Sequence, residues 1–130
     1  INSKKWEGFE SVEEAAKNLW MNNKDIIQLD KENHIIGLHS DTHPTALGEL
    51  TGEEQASEYQ ANYQHLLQTL GKAPHTMSHP CNSYSNDTLR LMDEMGIEIG
   101  FRANMKAGYK SRFEIPREDH ANLINEMNTI

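Results

Sequence analysis

The stretch Ile35-Ile36-Gly37-Leu38-His39-Ser40-Asp41-Thr42-His43-Pro44 decides how this chain is read. Its first four residues form a short apolar run, rich in β-branching and bounded by polar residues, which predicts a buried strand. Pro44 cannot sit inside a helix, so residues 39–44 are expected to form a loop or turn at the strand's carboxyl end. In α/β folds, ligands and catalytic groups gather at that end of the strands. The position of His39 and His43 is therefore informative before any other residue is considered.

Working outward, strands and helices alternate. Ser11-Val12-Glu13-Glu14 has capping-box spacing and starts a helix in which Val12, Ala15, Ala16, Leu19 and Trp20 share a face; Asn22-Asn23 ends it. Asp25 to Leu29 adds a turn or two. Thr51-Gly52-Glu53-Glu54 is a second capping box, opening the longest helix, from about Glu53 to Leu70. Its apolar stripe is Ala56, Tyr59, Tyr63, Leu66, Leu67 and Leu70, and Gly71 is its C-terminal cap. Thr76-Met77-Ser78 is a short strand, followed by the turn-rich His79-Pro80-Cys81-Asn82-Ser83-Tyr84. Ser85 or Asn86 caps a third helix carrying Leu89, Leu91, Met92 and Met95, which Gly96 stops. Strands at Ile97 to Phe101 and Phe113 to Ile115, then a helix from about Glu118 to Met127, complete the order. Such alternation implies βαβ units and a largely parallel sheet in a single domain over residues 1–130. About four strands are too few to close a barrel.

Composition narrows the function classes. The 130 residues are 36% hydrophobic, enough for one modest core, and carry a formal net charge of -8. An acidic balance argues against nucleic acid, whose phosphates are held by clustered Lys and Arg. No apolar stretch approaches a membrane span. Cys81 is the only cysteine, which excludes thiolate-rich structural zinc sites and leaves His and carboxylates as metal ligands. Its free thiol tilts the compartment toward the cytoplasm without fixing it, and a small apolar filler is the expected role for its side chain.

For an isolated His-x-x-x-His pair, two surface histidines on a polar turn is the plainer reading. Imidazole is nevertheless the commonest metal ligand near neutral pH, and two at a strand end suit an open catalytic site. His34, His65 and His75 lie in polar contexts and are read as surface residues, and His79 as a structural loop residue. Tyr59, Tyr63, Trp6 and Trp20 are read as core or groove-lining aromatics.

The surrounding residues sharpen this. His39-Ser40-Asp41-Thr42-His43-Pro44 resembles the second motif of the polysaccharide deacetylase (NodB-homology) family, His-Ser/Thr-x-x-His-Pro/Ser. The resemblance extends from about His34 to Met105, through Pro80-Cys81-Asn82-Ser83-Tyr84-Ser85 and Leu91 to Ile97. It implies part of a distorted (β/α) barrel lacking its N-terminal strands. It also implies a metal-dependent hydrolase removing N-acetyl or O-acetyl groups from a carbohydrate. On that resemblance His39 and His43 would ligate a divalent metal, zinc first, with water on the open position. Pro80 and Tyr84 would line the sugar groove, and the Cys81 backbone N–H would help hold the oxyanion.

The departures from the family pattern are equally specific. Its paired-aspartate motif, source of a metal carboxylate and the general base, has no counterpart here and is expected upstream of Ile1. The family's arginine two residues before the proline is Ser78, so that partner is lost or supplied by Arg102 or Arg117. Its late histidine, the general acid, finds a counterpart only in His120. Two other readings stay open: a non-catalytic metal- or sugar-binding relic of the fold, and an unrelated zinc hydrolase using His39, His43 and Asp41 or Asp119. A strand edge left open by missing neighbours invites self-association.

Overall fold

Side-chain caps set where most helices begin. The computed structural model describes residues 11–127. Ser11 accepts a hydrogen bond from the Glu14 amide and starts α1, Val12–Leu19. Asn22 does not end that helix but opens the next: with Asp25 it forms a capping box at the head of α2, Asn23–Lys31. Thr51 and Glu54 form the expected box at α3, Gly52–Leu70, which ends at Gly71 with φ 69°, the left-handed value glycine adopts freely. Ser85 and Thr88 cap α4, Asn86–Glu94, and α5 spans His120–Met127.

Four parallel passes of chain make the sheet. β1, Thr76–Ser78, pairs with β2, Ile99–Phe101, with Met77 opposite Gly100. Leu38 joins the outer side of β1 through a bridge to Met77, and Ile115 joins β2 through Phe101. Of the expected strand Ile35 to Leu38, only Leu38 enters the ladder: its N–H and carbonyl both bond β1, at 2.9 Å each. The segment has no backbone partner on its far side among the described residues, and Ile35 is 69% exposed. The Phe113 to Ile115 strand shrinks to Ile115 for the same reason, having one neighbour only. Gly37 is required by close approach, because a Cβ there would sit 2.8 Å from the Thr76 carbonyl oxygen.

Side chains alternate across a strand, so the two sheet faces differ. Leu38 and Met77 point toward the helices, into a core with Leu47, Tyr59, Leu66, Leu91, Met92, Ile97 and Phe113. On the opposite face Thr76, Ser78, Ile99 and Phe101 are only half-buried among the described residues. A groove of about 560 Å³ crosses it, lined by Ile35, Gly37, His39, Ser78, Ile99, Phe101 and Arg117 among others. Parallel sheets are normally covered on both faces, so this is the inner wall of an incomplete barrel.

Two packing expectations fail. Leu19 and Trp20 are 63% and 69% exposed, because among the described residues α1 packs mainly through Ala15 and the half-buried Ala16. Trp6 lies outside the described residues. Tyr59 is fully buried and Tyr63 half-buried. Among the described residues, no helix is long and apolar enough to cross a membrane.

Candidate functional site

The site is built where the Leu38 pass leaves the sheet. His39 and His43 are both exposed, with ring centroids 5.0 Å apart and planes inclined by 56°. Two non-glycine residues of this loop are left-handed, Ser40 (φ 65°) and His43 itself (φ 57°). The buried Ser40 accepts the His43 amide on its hydroxyl at 3.1 Å.

Helix α3 closes around this loop. Glu58 accepts the amides of Asp41 and Thr42 at 3.1 and 2.9 Å and the Thr42 hydroxyl at 2.7 Å, while Asn62 accepts the His39 amide at 3.0 Å. Partial burial alone would raise the Glu58 pKa, but the bonds from Thr42 and Asp41 outweigh it and hold the carboxyl below its ordinary range.

The neighbours of His39 decide its tautomer. Its Nδ1 lies 2.9 Å from the carbonyl oxygen of Ser78 and 3.0 Å from the Ser78 hydroxyl. A carbonyl oxygen can only accept, so Nδ1 carries the proton and the Nε2 lone pair is free. A second-shell carbonyl fixing the tautomer in this way is the usual preparation of a metal-ligating imidazole. Two imidazoles on one tetrahedral zinc, with nitrogens about 2.0–2.1 Å from it, have ring centres about 5 Å apart. The observed spacing fits. Among the described residues, however, no group of three His, Cys, Asp or Glu side chains converges, so the pair could supply at most two of the three donors that catalytic zinc takes from protein. Asp41 and Asp119 therefore do not complete a local zinc triad.

Other expected site residues scatter. Pro80 is buried. Cys81 is exposed and left-handed (φ 49°); its thiol is not the apolar filler expected, because the turn after Pro80 points it to solvent. Tyr84 is half-buried, stacked on His79 at 4.2 Å, and donates its hydroxyl to Glu114; burial and that bond raise its pKa. His79 is structural, as expected. It is 1% exposed, bonds the Phe113 carbonyl at 2.7 Å, and burial pushes its pKa down to about 4. Arg102 is buried and bonds the Lys106 carbonyl, whereas Arg117 reaches the groove beside His39 and donates to the Arg102 carbonyl at 3.2 Å. His120 is solvent-exposed next to Asp119. His34, His65 and His75 are all exposed.

Sequence reasoning missed Glu58 and Asn62. Their only signal was the spacing of four residues, which places both on one face of α3.

The family model for polysaccharide deacetylase matches residues 11–100. The chain belongs to the polysaccharide deacetylase family. Among solved structures of the same fold, the deacetylase PplD of Streptococcus pyogenes, in complex with acetate, superposes with a TM-score of 0.69 at 16% identity. That match covers 82% of this chain and 50% of PplD. A de-N-acetylase from Aggregatibacter actinomycetemcomitans gives 0.64 at 10% identity, covering 84% of this chain and 54% of that one. A CE4 family pseudoenzyme from Bacillus anthracis gives 0.56 at 18% identity, covering 63% and 28%. This polysaccharide deacetylase chain thus spans about half the length of the first and second of these, consistent with a partial barrel. No curated protein matches it.

Proposed function

We propose that this chain supplies the two-histidine metal site of a carbohydrate deacetylase, removing N-acetyl or O-acetyl groups. The observation that carries the proposal is the His39–His43 pair, 5.0 Å between ring centres, with Nδ1 of His39 committed to Ser78 and Nε2 left free. A divalent metal, zinc first, would supply Lewis acidity to an acyl carbonyl and to water. The chain's own residues would do the rest. His39 and His43 would hold the ion, and His39 and Arg117 both line the groove. The Cys81 backbone N–H is assigned the oxyanion and His120 the general acid. Arg102 is kept as a structural support through Lys106 rather than as a group touching substrate.

A non-catalytic binding module on the same fold is the second reading. It is favoured by the absence of a third convergent ligand among the described residues, and one structure of this fold is a pseudoenzyme. Zinc titration and acetate release, each with and without chelator, separate the two. Zinc binding lost on His39→Ala supports both readings. Chelator-sensitive acetate release from acetylated oligosaccharides by the parent protein supports the enzyme, and zinc binding without release supports the module. No zinc binding sinks both.

A further inference from the structure

We infer that Glu58 and Asn62 are positioning residues that hold the His39–His43 loop in its metal-receiving conformation before any metal arrives. The inference rests on the reading of these histidines as ligands. Left-handed backbone at two non-glycine residues, Ser40 and His43, persists only where surrounding contacts over-determine it. Those contacts all come from the protein's own side chains. Asn62 fixes the amide of the first histidine, Glu58 takes three hydrogen bonds from the middle of the loop, and Ser40 fixes the amide of the second histidine.

Glu58 and Asn62 are four residues apart on α3, so both face the loop. The same helix is anchored by Tyr59 and Leu66, which are buried in the core. The loop is thereby referenced to a helix fixed in the core. A ligand pair prepared this way loses less freedom on binding an ion, so the clamp acts on metal affinity although neither residue touches the ion.

The test uses the full 130-residue chain and zinc itself, with affinity read by competition against a chromophoric chelator. Glu58→Ala and Asn62→Ala should each weaken zinc binding about 10-fold. Asn62→Asp keeps an acceptor for the His39 amide and should restore most of the loss. Thr42→Val leaves α3 untouched and removes one bond to Glu58; it should cost a few-fold, and it carries the test if the helix variants do not fold. In metal-free protein, exchange of the Asp41 and Thr42 amides should be slow in the parent chain and accelerate in Glu58→Ala.

Unchanged zinc affinity in all three weakening variants, with His39→Ala abolishing binding, would overturn the clamp and leave the metal site standing. Unchanged affinity in His39→Ala would overturn the metal site and with it the clamp's role. Fast exchange of both amides in the metal-free parent would show the loop is not preorganised, and would overturn the clamp independently of zinc.

Discussion

Nδ1 of His39 lies 2.9 Å from the carbonyl oxygen and 3.0 Å from the hydroxyl oxygen of the same residue, Ser78. One N–H is therefore shared between two acceptors, one of which no side-chain substitution can remove. Ser78→Ala is expected to lower zinc affinity by less than about 10-fold, while His39→Ala, which removes a donor outright, lowers it far more. Nitrogen chemical shifts of the metal-free chain check the tautomer directly. His39 should carry its proton on Nδ1 in both the parent and Ser78→Ala.

The isolated chain should not turn over. A positioned general base contributes about 10²–10⁴-fold, and no carboxylate among the described residues joins His39 and His43 in a cluster. Incubating the chain with zinc and acetylated oligosaccharide should release acetate at the rate of free zinc. Robust, chelator-sensitive release would place a base within these residues.

His79 makes stability depend on pH. Burial holds it neutral, lowering its pKa from 6.5 to about 4. The unfolded chain takes up a proton as pH falls through 6.5, whereas the folded chain resists until about 4. The stabilisation is therefore fully present above pH 6.5 and is lost between 6.5 and 4, by up to about 3 kcal/mol. Urea unfolding at stepped pH should show this loss in the parent chain and a shallower one in His79→Gln. Equal slopes would mean that His79 does not carry the effect.

The half-buried face and open edge should draw copies together. Ile35 stands exposed on that edge, and the groove beside it is lined by the half-buried Ile99 and Phe101. Self-association at micromolar concentration, burying more than the ~1,000 Å² expected of a specific interface, is the expected result by sedimentation. Ile35→Lys puts a charge on the edge and should restore the monomer. A monomeric parent with a cooperative melt would show that the edge is harmless.

Gly37→Ala should distort the site rather than the core. The added Cβ would meet the Thr76 carbonyl at 2.8 Å, so the pass must move off β1 and carry His39 with it. Loss of zinc affinity with only a modest drop in thermal midpoint is expected; unchanged affinity would show that the edge yields without moving the histidine.

The sequence made the helices legible because capping and periodicity are local. The box at Thr51 and the glycine after Leu70 sit where spacing places them, and of the two cap candidates Ser85 and Asn86 the structure uses Ser85. Asn22 misled because one residue can end a helix or begin the next, and only the partner Asp25 decides. The strands were overdrawn because ladder length depends on neighbours that a periodicity does not report. Trp20 was misplaced because an apolar face implies a partner, and α1 has little beyond Ala15. The motif singled out His39 and His43, whose rings the fold brings within 5.0 Å. Glu58 and Asn62 were not legible, because polar residues on a helix face look alike until the loop they hold is seen.

Helix α3 presents Gln55, Tyr59 and Leu66 to the interior while Glu58 and Asn62 grip the loop. Each residue of an α-helix turns the chain by about 100°. One inserted or deleted residue between 55 and 66 would therefore swing one set of contacts off its target, whatever its chemical character. This helix therefore tolerates a change of composition more readily than a change of length.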